Sequence, residues 1–344
     1  MIWFTIATVA PVLILGAAAL FGGIWCLIAL LYMTCFIYLM DRITQGAAAR
    51  RGADGEFPVG EPLALFLGVA HLVLIVLAVA AIGGPSGFSM IERLACFIAF
   101  GLFFGQVSNA NAHELIHKQS RWPRRLGKAV YISLLFGHHA SAHTRVHHVW
   151  AASAMDPNSP APRQSFYRFW PRAWVGSFLK GLRAENELRA RSSKPLTPWS
   201  HPYLHYVSGG VLVILLALAF WGLSGVITLL LLTGYAQMQL LLSDYVQHYG
   251  LRRARGADGR LEPVGPQHSW NARQFYSSAL MLNAPRHSDH HMHPLRTYPA
   301  LELDPASMPI LPRSLPVMAT LALWPAMWRK VMDPKVAALH AKTG

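Results

Sequence analysis

The run LACFIAFGLFFGQVSNANAHELIHK, residues 94–118, passes from an apolar stretch straight into a histidine motif. Residues 94–112 contain no Asp, Glu, Lys or Arg. A helix rises 1.5 Å per residue, so this stretch is about as long as a bilayer core is thick, roughly 30 Å. Polar residues follow at once. His113 and His117 stand four apart, so a continuing helix carries both imidazoles on one face. The reading is a membrane helix that ends in a pair of side chains able to grip one metal.

The rest of the chain extends this pattern. Of 344 residues, 53% are hydrophobic and 13% charged, where a soluble domain carries about 25% charged residues. That composition excludes a disordered chain and argues against an ordinary soluble globule. Residues 2–40 are also free of charge. They amount to about 58 Å of helix, enough for two spans, 2–21 and 24–40, turning near Gly22-Gly23. A third span covers 62–83. The uncharged stretch 206–243 again holds two, 206–221 and 226–243, with a turn at 221–225. The expected fold is an all-α integral membrane protein with six transmembrane helices, because an open sheet cannot satisfy its backbone in lipid. Segments 113–205 and 244–344 form a cytoplasmic histidine-rich cap, in a single membrane-embedded domain over 1–344.

Charge tests this topology. Lys and Arg number 30 against 16 Asp and Glu, a net charge of +14. With the N-terminus in the cytoplasm, only Arg93 falls in an outer turn, which is a positive-inside pattern. The basicity is then explained by topology, and no basic recognition motif accompanies it, so nucleic acid is not an expected partner. The first Lys or Arg is Arg42, so no positive n-region marks a secretory signal. The stretch FYRFWPRAW, 166–174, suits a membrane–water interface. The apolar residues 314–332 either lie on the membrane or pack against the cap. The three cysteines, Cys26, Cys35 and Cys96, lie in apolar runs with no C-x-x-C pair. A cysteine zinc site and a built-in iron–sulfur domain are excluded, so electrons for any redox chemistry come from another protein.

Fifteen of the 17 histidines lie between 113 and 293. Four clusters sit at the cytoplasmic ends of expected spans: His113 and His117; His143, His147 and His148; His248; and His287, His290 and His291. His143 and His147 form a second i, i+4 pair, and His287 pairs with both His290 and His291. Four groups at metal spacing on one side of a membrane point to a metal or catalytic site. Zinc takes four ligands, which nine imidazoles overfill. Two metals would have four or five each, and imidazole suits iron, copper, nickel and zinc alike.

The runs His-Glu-Leu-Ile-His-Lys (113–118), His143–His148, Gln-His-Tyr-Gly-Leu (247–251) and Arg-His-Ser-Asp-His-His (286–291) resemble the four histidine motifs of the membrane alkane monooxygenases. These belong to the histidine-rich diiron superfamily of desaturases and hydroxylases. Met155-Asp156-Pro157, Gln267-His268-Ser269-Trp270-Asn271, His293-Pro294 and Val331-Met332-Asp333-Pro334-Lys335 extend the resemblance. It runs from the fourth span onward; the first 90 residues match only in hydropathy. The resemblance implies a bacterial-type inner membrane protein with both termini cytoplasmic. It also implies two iron ions held by His113, His117, His143, His147, His148, His248, His287, His290 and His291, and electrons from rubredoxin and its reductase. The implied reaction places one atom of O2 into a C–H bond of a substrate dissolved in the lipid bilayer. Terminal hydroxylation of n-alkanes comes first, with alkyl-aromatic, terpene or fatty-acyl chains next. A basic cytosolic face suits a small acidic electron carrier.

Metal-bound histidines are usually oriented through their second nitrogen. Glu114, Asp289, Asp244, Asp156 and His138 are candidates for that supporting role. Surface charge or capping is the ordinary alternative, and it weighs more on Asp156 and Asp244. Two departures stand out: Ala142 and Gln247 replace glutamates usual in the family. His139, His201, His205, His268 and His293 read as supporting or structural, and His71 as a satisfied polar group inside the bundle. A membrane zinc protease would use His113, His117 and Glu114 as general base, but leaves seven clustered histidines unused. A metal transporter would need polar residues along the spans, and these are nearly absent.

Overall fold

A computed structural model describes residues 2–44, 60–193 and 196–343. The segment between the second and third spans, which the charge pattern places in the cytoplasm, falls largely outside the described residues. Helices α1 (Ile2–Phe21), α2 (Ile24–Ile43), α3 (Gly60–Gly83), α4 (Met90–Ile116) and a 47-residue helix, Pro202–His248, are long and apolar enough to cross a membrane. Between α4 and the long helix lie α5 (Arg121–Ser133), α6 (residues 139–150) and α7 (Phe166–Ala190). The long helix is α8. After it come α9 (Phe275–Leu280), α10 (His287–Met292), α11 (Leu315–Ala322) and α12 (Pro325–Thr343). Among the described residues the only strand-like pairings are two isolated bridges, Arg255 with Leu261 and Asn271 with Ile310.

The expected loop at 221–225 is a single-residue break. Gly222 alone leaves helical geometry, with φ 62° and ψ −157°, a conformation that a side chain disfavours. Helix continues on both sides of it. The fourth helix also differs from its expected bounds. It runs from Met90 through Ile116, beyond the expected 94–112 at both ends, and His113 lies on its last turn as the continuing helix required.

Arg93, the lone basic residue in the turns that the charge pattern assigns to the outer side, has a local reason to be there. Its guanidinium donates to the carbonyls of Ile82 and Gly84 at the end of α3, where the helix dipole favours a cation. Beside it Ser89 and Glu92 form a capping box that starts α4, and Glu92 also accepts the Gly23 N–H at 2.6 Å, which pins the α1–α2 turn. On the first arm of α8 Val207, Val211, Leu212 and Leu215 are exposed, a contiguous apolar face that water would not tolerate and lipid would.

The C-terminal apolar segment packs inward. Leu315, Met318, Ala322 and Trp328 are buried. The Trp328 ring lies 5.5 Å from Tyr245 and 5.1 Å from Tyr249, at the end of α8. The aromatic–basic stretch forms the start of α7. Phe166 and Phe169 pack on Tyr245, while Tyr167, Trp170 and Trp174 face outward. His71 is buried in α3 between the hydroxyls of Ser108 (2.8 Å) and Ser133 (2.9 Å), the satisfied polar group expected of it.

Candidate metal centre

Four elements converge at one end of the bundle. The last turn of α4 carries His113, and His117 follows immediately. The α6 segment carries His143, His147 and His148. His248 ends α8, and α10 carries His287, His290 and His291. The short α10 needs outside support, and the 267–271 run gives it. Asn271 donates to Ser288 Oγ at 2.8 Å and accepts the Ser288 N–H at 3.0 Å. The His268 carbonyl of the same run lies 3.3 Å from His248 Nδ1.

The nine imidazoles form two groups, His113, His117, His143, His148 and His290, and His147, His248, His287 and His291. Within each, one nitrogen from every residue lies within 4.8 Å of the others. Nitrogen faces nitrogen. His143 Nε2 is 2.7 Å from His113 Nε2 and 2.9 Å from His148 Nε2, and His148 Nε2 is 3.1 Å from His290 Nε2. In the second group His287 Nε2 is 3.1 Å from both His248 and His291 Nε2. His117 Nε2 and His147 Nε2 are buried with no partner. A neutral imidazole has one N–H and one lone pair, so hydrogen bonds alone cannot satisfy this convergence. A cation in each group satisfies every lone pair, and the arrangement is suited to holding metal ions.

The partition differs from the expected pairing. His143 and His147 do not share a group. Residues His143–His147 form a π-helical turn, in which hydrogen bonding reaches from i to i+5. The wider turn brings His148 beside His143 and sends His147 to the other group. Within α10, His287 keeps its i+4 partner His291, and His290 points to the five-histidine group. Two of the four motifs therefore serve both groups.

Electrostatics favour the ligand form of most imidazoles. Burial, with neighbouring imidazoles adding to it, holds His143, His148, His287, His290 and His291 well below the ordinary histidine range. His117 is pushed down to about 4, mainly by burial. Neutral imidazole is the form that binds metal. His147 is the exception. Burial works against its charge, yet Asp156 and Asp244 together outweigh burial and raise it, and His147 in turn lowers Asp156.

This contact corrects the expected ranking of supporting carboxylates. Asp156, given the weaker case, is fully buried and lies 2.8 Å from His147 Nδ1. It also accepts from Ser159 Oγ and the Asn158 N–H. Asp289 instead staples α10 to the chain beyond it, accepting from Arg296 and the Glu302 N–H, with His293 at 2.9 Å. Glu114 pairs with Lys118 at 2.7 Å. The polar contact of His138 is Ser177, at 3.5 Å, and its rings of contact are Phe136 and Phe178. Asp244 is buried and accepts from Asn158 Nδ2 at 2.7 Å. Asn158 was not singled out in the sequence. Its place just after Met155-Asp156-Pro157 was the available signal.

A cavity of about 480 Å³ opens onto the centre. That is within the usual range of small-molecule sites, roughly 300–1,000 Å³. His113, His139, His143 and His287 line its metal end, and Met33, Ile37, Leu102, Ala110, Met238 and Leu315 line its body. Gly105, in a second π-helical turn at Phe104–Ser108, sits where a Cβ would collide with Gln239, so α4 and α8 approach closely along this wall.

Residues 89–322 match the fatty acid desaturase family. The chain belongs to that family. Within it, the chain is 34% identical to an alkane 1-monooxygenase 2 of Pseudomonas aeruginosa over 252 residues, 73% of this chain and 66% of that one. It is 33% identical to an alkane 1-monooxygenase of Pseudomonas putida over 253 residues, 74% of this chain and 62% of that one. A more distant relative is the hydroxylase component of a xylene/toluene monooxygenase of Pseudomonas putida, 26% identical over 247 residues, 69% of this chain and 63% of that one. The chain spans under two thirds of the length of these relatives.

For this desaturase-family chain, Glu114 separates two metal chemistries. A zinc protease would use it as general base. Here its carboxylate is committed to Lys118. Glu114→Gln is expected to cost about 1–3 kcal/mol of stability from the broken partner. Metal content and product per folded molecule should stay unchanged. Loss of nearly all turnover with the fold and metal intact would restore the protease reading.

Proposed function

We propose that this chain is a diiron membrane monooxygenase that hydroxylates a hydrophobic substrate at a C–H bond, with n-alkane to 1-alkanol as the reaction of choice. The observation that carries this reading is the convergence of nine histidine nitrogens, in two groups, at the end of an apolar cavity. The nine named histidines would hold two irons, five in one group and four in the other. The overall balance is RH + O2 + 2e⁻ + 2H⁺ → ROH + H2O, with rubredoxin, reduced by its reductase, as the electron source.

Bound iron supplies the activation of O2, which side chains cannot provide. The chain's own residues do the rest. Leu102, Ala110 and Met238 hold the hydrocarbon against the metal end and keep bulk water away. Asp156 fixes the Nδ1–H tautomer of His147, so that its Nε2 lone pair faces the centre.

Six spans, with both arms of α8 crossing separately, place all four histidine motifs on the cytoplasmic side of a bacterial inner membrane, with both termini there too. The positive-inside pattern supports that orientation. A second reading, hydroxylation of an alkyl-aromatic side chain, draws on the xylene/toluene relative.

The test is product analysis under oxygen-18 gas, in cells expressing the chain with a rubredoxin and its reductase and fed n-alkanes and alkyl-benzenes. A labelled 1-alkanol supports the first reading and a labelled benzylic alcohol the second. Absence of label with every substrate, from protein that holds iron and receives electrons, would sink both.

A further inference from the structure

Buried acids in this chain divide by the company they keep. Glu114 pairs with Lys118, Glu185 with Arg145 and Asp289 with Arg296. Asp41 accepts the Ser277 N–H. Among the described residues, no lysine or arginine forms an ion pair with Asp156 or Asp244. These two are also neighbours. Asn158 ties them together, its side chain donating to Asp244 and its backbone N–H to Asp156. Both interact electrostatically with His147 of the four-histidine group.

Two adjacent buried carboxylates repel each other and are poorly solvated, and Arg172, Arg252 and Arg253 interact with the charge of Asp156 without pairing closely with it. An ionisable residue in an apolar helix is costly and marks function. Asp156 is spent on His147 Nδ1. Asp244 is not. It stands one turn before His248 on the same helix face, and it lines the substrate cavity together with Gln247. The four-histidine group has one imidazole fewer than its neighbour, and the carboxylates lie on its side.

We propose that Asp244 is the cavity-side counter-charge of the ion held by the four-histidine group. The inference rests on the two-iron reading above. It makes the two metal positions unequal. One is surrounded by five neutral imidazoles. The other has four imidazoles and the negative charge of Asp244 facing the substrate. Asp244 lowers the reduction potential of its ion and strengthens its retention.

The experiment uses the full chain purified in detergent and loaded with ferrous iron. Iron per chain is counted against a graded chelator, and the potential is read by reductive titration. The wild type should hold two irons. Asp244→Asn should release one of them at about 10- to 100-fold lower chelator strength, the usual cost of losing an outer partner, and should raise the potential. Asp244→Glu should restore both readouts. So should the double variant Asp244→Asn with Gln247→Glu, which returns a carboxylate to the same cavity wall. Two irons held as tightly as in wild type, at an unchanged potential, would overturn the proposal. A loss that neither carboxylate repairs would overturn it too, by making Asp244 a packing residue. A wild type that cannot hold two irons would sink the two-iron reading itself, whatever Asp244→Asn does.

Discussion

His290→Ala is expected to reduce oxygen-18 alkanol to the level of cells without the chain, and to lower iron per purified chain. His290 Nε2 lies 3.1 Å from His148 Nε2, and its ring centroid is 4.3 Å from that of His113 and 4.8 Å from that of His117. It therefore closes the five-histidine group from the α10 side. No neighbouring side chain replaces an imidazole there, because Asp289 is held by Arg296 and the Glu302 N–H. His293→Ala is the matched control. That ring is 49% exposed and meets Asp289, which keeps its other partners. Most product should survive it. Equal loss from the two variants would mean that α10 is sensitive as a unit, and that His290 has no special place in it.

The second large effect belongs to Asp156→Asn. Asparagine keeps the shape and can still accept from His147 Nδ1, so the change removes charge more than contact. A buried hydrogen bond to a charged group is worth about 1.5–3 kcal/mol. At 1.4 kcal/mol per tenfold that is about 10- to 100-fold, the cost typical of losing the partner that orients a metal-bound histidine. Metal affinity and product formation should both fall by that factor while helical content is kept. An Asp156→Asn protein with wild-type affinity would show that the charge beside His147 is incidental.

Hydropathy made the helices legible, because 39 uncharged residues leave a helix few other places to be. The histidine motifs were legible too, since His113 and His117 and then His248 follow apolar runs directly and the other two motifs repeat the same close histidine spacing. The pairing within them was not. A His-x-x-x-His spacing presumes an ordinary helix, and nothing in HTRVH announces a π turn. The ranking of carboxylates failed for a related reason. Asp289 sits inside its motif and Asp156 nine residues beyond His147, but only the folded chain returns Asp156 to that ring. Arg296 and Glu302, which claim Asp289, are also reached only by folding. The break at Gly222 was half visible. Glycine marked the place, while continuing helix on both sides was hidden by the uniform hydropathy of α8.

The π turn at His143–His147 has a consequence for how this segment tolerates change. In an ordinary helix, residues five apart point about 140° away from each other. Here the extra residue in the turn closes that angle, and one short segment feeds two histidine groups. Exchanging Arg145, whose side chain reaches away to the buried Glu185, alters an ion pair outside the two histidine groups. Removing any one residue between His143 and His148 would restore ordinary winding and rotate everything after it. In this segment the count of residues, more than their identity, carries the instruction to build two sites.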